Sequence, residues 1–239
     1  MRVFLAGASG AIGRRLIPLL IRAGHEVTGT TRSREKAAAL RQAGVTPAIL
    51  DFYDTPAVVA AMRAAAPEIV IHQLTDLPQE GDQDKIAASY AANARIRTEG
   101  TRNLIAGAAA AGARRLIAQS ICFVYEPGGE PHRETDPLNQ SDPVRAVTVK
   151  GTVDMEDQVL DAPAMTGVVL RYGFLYGPGT WHETATAPAP AVHVDAAAQA
   201  ALLAIDRGSG VYNIAEDDGA MVIDKARREL GFDPGFRLG

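Results

Sequence analysis

Short apolar runs alternate along the chain with longer stretches in which apolar residues recur at helical spacing. "RVFLAG" predicts a strand and "AIGRRLIPLLIRAG" a helix ending at Gly24. "EVTGTT" predicts a second strand, followed by a helix over "SREKAAALRQAG" with Ser33 as its cap and Gly44 as its stop. "TPAILD" predicts a third strand. The helix "TPAVVAAMRAAAP" follows it, with Thr55 at the N-cap and Pro56 in the first turn. Then come the strand "EIVIHQL", helical sequence from about Asp82 to Ala111, and the strand "RRLIAQSICFVY". "VRAVTVKGTVDMEDQVLD" predicts a helix, "TGVVLRYGFLYG" a strand, "DAAAQAALLAIDRG" a helix and "GVYNIA" a last strand. "YEPGGEPHRETDPLNQSDP" and "GPGTWHETATAPAPAV" read as loops.

Strands alternating with helices imply an α/β fold with a parallel sheet covered on both faces. Right-handed crossovers then make the sheet doubly wound, a Rossmann arrangement. The 239 residues suffice for one such domain, 1–239, and are few for two. The net charge of −4 and the absence of basic blocks argue against nucleic acid or an anionic membrane as partner. No apolar run approaches the roughly 18 residues of a membrane span. The single cysteine, Cys122, excludes an internal disulfide and a cysteine metal cluster. A cytoplasmic protein and a small-molecule substrate are expected, with no metal. Alanine and arginine usage suggests a GC-rich bacterial source.

The first strand leads directly into Gly7, Gly10 and Gly13, spaced G-x-x-G-x-x-G at the mouth of a helix. Such a turn brings backbone N–H groups against a pyrophosphate at a helix N-terminus. Ser9, Ala11 and Ile12 complete the loop. An NAD site usually ends its second strand on Asp or Glu; here Thr31, Arg32, Ser33 and Arg34 stand there. Arginine suits a 2′-phosphate, so NADP(H) is favoured over NAD(H). Asp51 and Phe52, after the third strand, are placed for the adenine. Gln73, Leu74 and Thr75, after the fourth, are placed beside the cofactor.

These features, with "EGTRNLIAGAAAAGARRLIAQS", "LRYGFLYGPGT", "VHVDAAAQAAL" and "DKARRELGFDP" in the same order, resemble the extended short-chain dehydrogenase/reductase family, the NAD(P)-dependent epimerase/dehydratase group. The resemblance implies a tyrosine that moves a proton at the substrate oxygen and a lysine four residues later that binds the nicotinamide ribose. It also implies a serine or threonine hydrogen-bonded to the same oxygen. Lys150 matches the lysine, but Ala146 stands where the tyrosine belongs, and no tyrosine precedes any lysine by four. Ile121 takes the serine/threonine place, with Ser120 before it. Phe174 and Arg97 replace two asparagines. The resemblance further implies a reduced C-terminal substrate cap, in segments 173–192 and 215–239, and a homodimer through helices near 90–111 and 145–160.

A relocated phenol would restore the acid. Tyr125, at the end of the fifth strand, is the candidate catalytic partner of Lys150, and Tyr172 is placed as a wall of the cofactor pocket. Three readings follow. The first is an atypical NADP(H)-dependent enzyme acting on a small organic molecule, in bacterial specialised metabolism. The second is a non-redox cyclase, isomerase, dehydratase or lyase on the same scaffold. The third is an inactive NADP(H) sensor.

Overall fold

The computed structural model describes residues 1–78, 83–143, 145–183 and 187–239, apart from the side chains of 83, 86 and 87. Its strands are β1 (Arg2–Ala6), β2 (Glu26–Thr31), β3 (Thr46–Ile49), β4 (Ile69–His72), β5 (Arg115–Ile121), β6 (Thr166–Tyr172), β7 (Phe174–Tyr176), β8 (Ala191–His193) and β9 (Gly210–Ile214). Its helices are α1 (Ala11–Arg22), α2 (Arg34–Gln42), α3 (Thr55–Ala65), α4 (Gln83–Arg95), α5 (Thr101–Ala110), α6 (Ala146–Leu160), α7 (Val194–Leu203) and α8 (Asp224–Leu230). Seven strands form one parallel sheet in the order β3-β2-β1-β4-β5-β6-β9. The order reverses between β1 and β4, and that switch point is where doubly wound sheets bind ligands.

Alternation along each strand divides the core. Val3, Leu5, Ile71 and Leu170 face α1 and α7, whereas Phe4, Ala6, Val70 and Val169 face α3, α5 and α6. Helix α7 buries Ala196, Ala197, Ala200 and Ala201, small side chains that let it lie close to α1. Ala226, Leu230 and Phe232 join the same core, so the C-terminal segment closes the sheet's far edge.

Several boundaries differ from the sequence reading. Asp54, not Thr55, caps α3, its carboxylate accepting from the Ala57 N–H at 3.1 Å. Thr55 and Pro56 are already helical. The strand read over "TGVVLRYGFLYG" breaks at Gly173, where a side chain would lie 2.7 Å from the Pro190 carbonyl oxygen. Its second half, β7, pairs with the unforeseen β8 in a separate small sheet. The helical stretch from Asp82 begins outside the described residues. Within them α4 and α5 are joined by a π-helical segment, Ile96–Gly100. Fifth-strand pairing stops at Ile121, so Tyr125 lies beyond the strand, bridged to Leu138.

A buried ion pair ties α6 to the sheet. Arg171 of β6 donates to Glu156 of α6 at 2.9 and 2.5 Å, and Ser120 of β5 donates to the same carboxylate at 2.5 Å. Arg171 also donates to the Tyr125 hydroxyl at 2.8 Å, which in turn donates to Asn213 of β9 at 2.7 Å. Burial opposes the Arg171 charge. Hydrogen bonding and attraction from Glu156 more than offset it, so the guanidinium pKa lies above its ordinary value. Removing one partner strands the other in a dry interior. Glu156→Ala is therefore expected to cost about 3–5 kcal/mol in denaturant unfolding. Glu156→Met combined with Arg171→Met should recover part of that loss. Equal loss in the single and double variants would count against the pair as the tie.

Candidate functional site

The glycine loop lies at the switch point. Gly7 has φ +86°, and a side chain there would collide with the Gln73 carbonyl oxygen at 2.4 Å. At Gly13 it would meet the Gly7 carbonyl oxygen at 2.4 Å, so this glycine lets α1 lie directly on the loop. Gly10 is exposed and caps α1 with no side-chain bond, which leaves the first-turn N–H groups of Ala11, Ile12 and Gly13 to a ligand. That turn has no acidic residue. An unscreened helix N-terminus above a bare glycine fits a pyrophosphate. Arg14, whose guanidinium approaches the Gly179 carbonyl oxygen at 3.5 Å, adds positive charge that the glycine pattern had not singled out.

The residues read as the adenosine end come together. The Ser9 hydroxyl lies 3.4 Å from that of Thr31, which also accepts from the Ser33 N–H at 3.2 Å. Ser33 caps α2 as expected, accepting from the Lys36 N–H. Arg32 and Arg34 are exposed above them, and Arg32 pairs with Asp76 at 3.0 Å. Asp51 accepts from the Tyr53 N–H. The buried Asn103 amide donates to the Phe52 carbonyl oxygen at 2.8 Å and so sets the loop after β3. Asn103 was quoted in the sequence without a role, and this contact supplies one.

Gln73, Leu74 and Thr75 line the neighbouring edge. The Leu74 N–H donates to His72 Nδ1 at 3.1 Å, and Nε2 of the same ring meets the Thr101 hydroxyl at 2.8 Å. The Gln73 amide and the Tyr172 hydroxyl are buried side by side, without hydrogen-bond geometry and with no other partner among the described residues. Burial raises the Tyr172 pKa. Tyr172 thus belongs to the core beneath the loop and does not form an open pocket wall.

The reaction end departs further from expectation. The Tyr125 hydroxyl is committed to Arg171 and Asn213, and burial pushes its pKa up to about 12. It is a structural group and not a displaced acid. Ser120 is likewise turned inward onto Glu156, away from any cofactor. Lys150 is exposed on the first turns of α6, in the same helix as Ala146. Arg97 lies in the π-helical segment, buried, donating to Thr152 at 2.8 Å; burial lowers its pKa to about 10. Phe174 stacks on Phe123, ring centres 4.1 Å apart and planes within 6°. Trp181 reaches from the loop after β7 to the Pro78 carbonyl oxygen at 3.1 Å, joining two loops at this edge.

A family model described as the NAD dependent epimerase/dehydratase family matches residues 3–191. The chain belongs to this family. A "3-diazoavenalumate denitrifying reductase" of Streptomyces sp is 39% identical, over 98% of this chain and 83% of that protein. A dTDP-4-dehydrorhamnose reductase of Streptomyces griseus is 31% identical, over 74% of this chain and 51% of its own. Among solved structures, UDP-glucose 4-epimerase of Thermotoga maritima superposes with TM-score 0.78 at 18% identity, covering 100% of this chain and 95% of that one. The Thermus thermophilus UDP-glucose 4-epimerase, solved in complex with NAD, gives TM-score 0.71 at 23% identity, covering 98% and 85%. These structures share the fold. No helix among the described residues is long and apolar enough to cross a membrane.

The His72 ring connects this site to pH. Burial, then the Arg97 charge, lowers its pKa from 6.5 to about 4. Between those values the unfolded chain holds a proton that the folded chain refuses. Stability therefore falls as pH drops through this window, by up to about 1.4 kcal/mol per pH unit. Protonation of Nδ1 also ends its role as acceptor for Leu74. Denaturant titrations at stepped pH should show this acid slope, flattened in His72→Gln. An unchanged slope in the variant would remove His72 from the account.

Proposed function

We propose that the protein is an NADP(H)-dependent reductase that delivers hydride to the ring carbon of an aryl diazonium ion, with dinitrogen as the leaving group. The observation that carries this reading is the contrast between the two ends of the site. The glycine loop retains its close approaches, whereas the family's proton-moving tyrosine is replaced by Ala146, its serine or threonine by Ile121, and an asparagine by Phe174. Reduction of a carbonyl places charge on oxygen, and a positioned acid lowers the barrier to that step. Loss of dinitrogen asks for no such acid.

Bound NADPH would supply the hydrogen and its electron pair. The aryl C–H bond forms, the C–N bond breaks, and its electron pair leaves on neutral N2, so the arene is reduced by two electrons as one dinucleotide is oxidised. The chain's own residues bind and orient. The N–H groups of Ala11, Ile12 and Gly13 would take the pyrophosphate, Asp51 and the Phe52 backbone the adenine, the 73–75 loop the nicotinamide side, and Lys150 the ribose. The relative named as a 3-diazoavenalumate denitrifying reductase supports the reaction class, and a place in bacterial specialised metabolism belongs to the same reading. The preference for NADP(H) rests on Arg32 and Arg34. The Arg32–Asp76 contact is exposed, and such pairs are weak enough to yield to a 2′-phosphate. A homodimer would use the helices near 90–111 and 145–160, where Thr98 of the π-helical segment, Arg102 of α5 and Asp154 and Asp157 of α6 line a groove.

With 3-diazoavenalumate and NADPH deuterated at nicotinamide C4, deuterium is expected at the ring carbon that carried the diazo group, with one dinucleotide oxidised per arene. Arene product without deuterium, from either face of the nicotinamide, would sink the hydride reading. For the cofactor, Arg32→Ala with Arg34→Ala should weaken NADP+ binding by about 10-fold or more and leave NAD+ within a factor of about 2. Parallel loss for both dinucleotides would refute a 2′-phosphate site.

A further inference from the structure

Three of the four family positions that should carry polar groups, those now held by Ala146, Ile121 and Phe174, are occupied or bordered by residues that touch one another. Phe174 stands at one of them. Phe123 lies two residues beyond Ile121, and Arg145 immediately precedes Ala146. The structure brings them together from three separate segments. Phe123 and Phe174 stack at 4.1 Å, and the Arg145 guanidinium lies 5.5 Å from the Phe123 ring centre. The Arg145 guanidinium donates to the Phe123 carbonyl oxygen, and its backbone N–H is held by Asp142 at 2.9 Å. All three side chains are half-buried. The loss of polarity is therefore not simple decay to a plugged centre. It leaves an aromatic surface with one anchored cation at its rim.

We infer that Phe123, Phe174 and Arg145 form the seat for a planar aromatic carboxylate, with the arene against the phenylalanines and the carboxylate on Arg145. The chemistry matches part by part. Half-exposed parallel rings favour a flat π-system over a sugar. A guanidinium presents several N–H groups in one plane, and only one is used on the Phe123 carbonyl. The tethers fix where that fork lies, so a bound acid is held by one end and its ring is oriented for reaction. This inference deepens the reductase reading and rests on it for the substrate's reactive carbon, but the seat itself is defined by these three residues.

The test needs no turnover. Calorimetric titration of the protein with NADP+ present would compare cinnamate, cinnamamide and 3-cyclohexylacrylate. Cinnamate is expected to bind about 10-fold or more tightly than either analogue, the size of one charge-assisted contact. Arg145→Gln should abolish the preference over cinnamamide while cinnamamide binding persists, and Arg145→Lys should restore part of it. Phe174→Leu should weaken cinnamate and cinnamamide together and narrow the gap to the cyclohexyl acid. Equal binding of all three ligands to the unaltered protein would overturn the seat whatever the variants do, as would a carboxylate preference that survives Arg145→Gln. Diazo reduction without carboxylate preference would reject this inference alone. Carboxylate preference without diazo reduction would reject the reductase reading alone.

Discussion

The placement of α6 depends on one buried ion pair. Glu156 meets Arg171 from the sheet and Ser120 from the adjacent strand, and the same arginine reaches Tyr125 and, through it, Asn213. Three parallel strands and one helix are thus joined through a single carboxylate. Two charges withdrawn from water hold one geometry well and tolerate the loss of either poorly. The helix that this pair seats carries Ala146 and Lys150 and follows Arg145. The position of Ala146 and Lys150 at the reaction end therefore depends on that contact.

The same network explains what the tyrosines cannot do. A displaced acid needs a hydroxyl that faces the cofactor edge. Tyr125 has spent its hydroxyl inside the network, and Tyr172 is sealed beneath the glycine loop. Beside Lys150, the family positions of the tyrosine, the serine or threonine and one asparagine now hold Ala146, Ile121 and Phe174, and Phe174 stacks on Phe123 with the Arg145 guanidinium nearby. On the proposed reading such a site orients a flat substrate and places no acid against an oxygen. Hydride transfer that ends with departure of N2 is chemistry suited to that inventory.

Most of the frame was legible because it follows from local periodicity. The strand–helix alternation, the glycine spacing and the Ser33 cap depend on residues close in sequence. What escaped depends on distant neighbours. Gly173 ends β6 because the Pro190 carbonyl crowds it, and β8 exists only because β7 has turned away from the main sheet. Tyr125 sat at a suggestive position, yet its partners Arg171 and Asn213 come from strands far along the chain. The Phe123–Phe174 stack was hidden for the same reason. Arg14 was readable, since a glycine-rich turn followed at once by basic residues and no acid already suggests an anion.

The central claim is that reduction here proceeds without a protein proton donor. The most direct measurement is the single-turnover rate of diazo reduction with protiated and C4-deuterated NADPH, each in H2O and in D2O across neutral pH. The account predicts that deuteride slows the step, while D2O does not and no single ionisation governs the rate. A rate slowed by D2O, or lost with one titrating group, would contradict it.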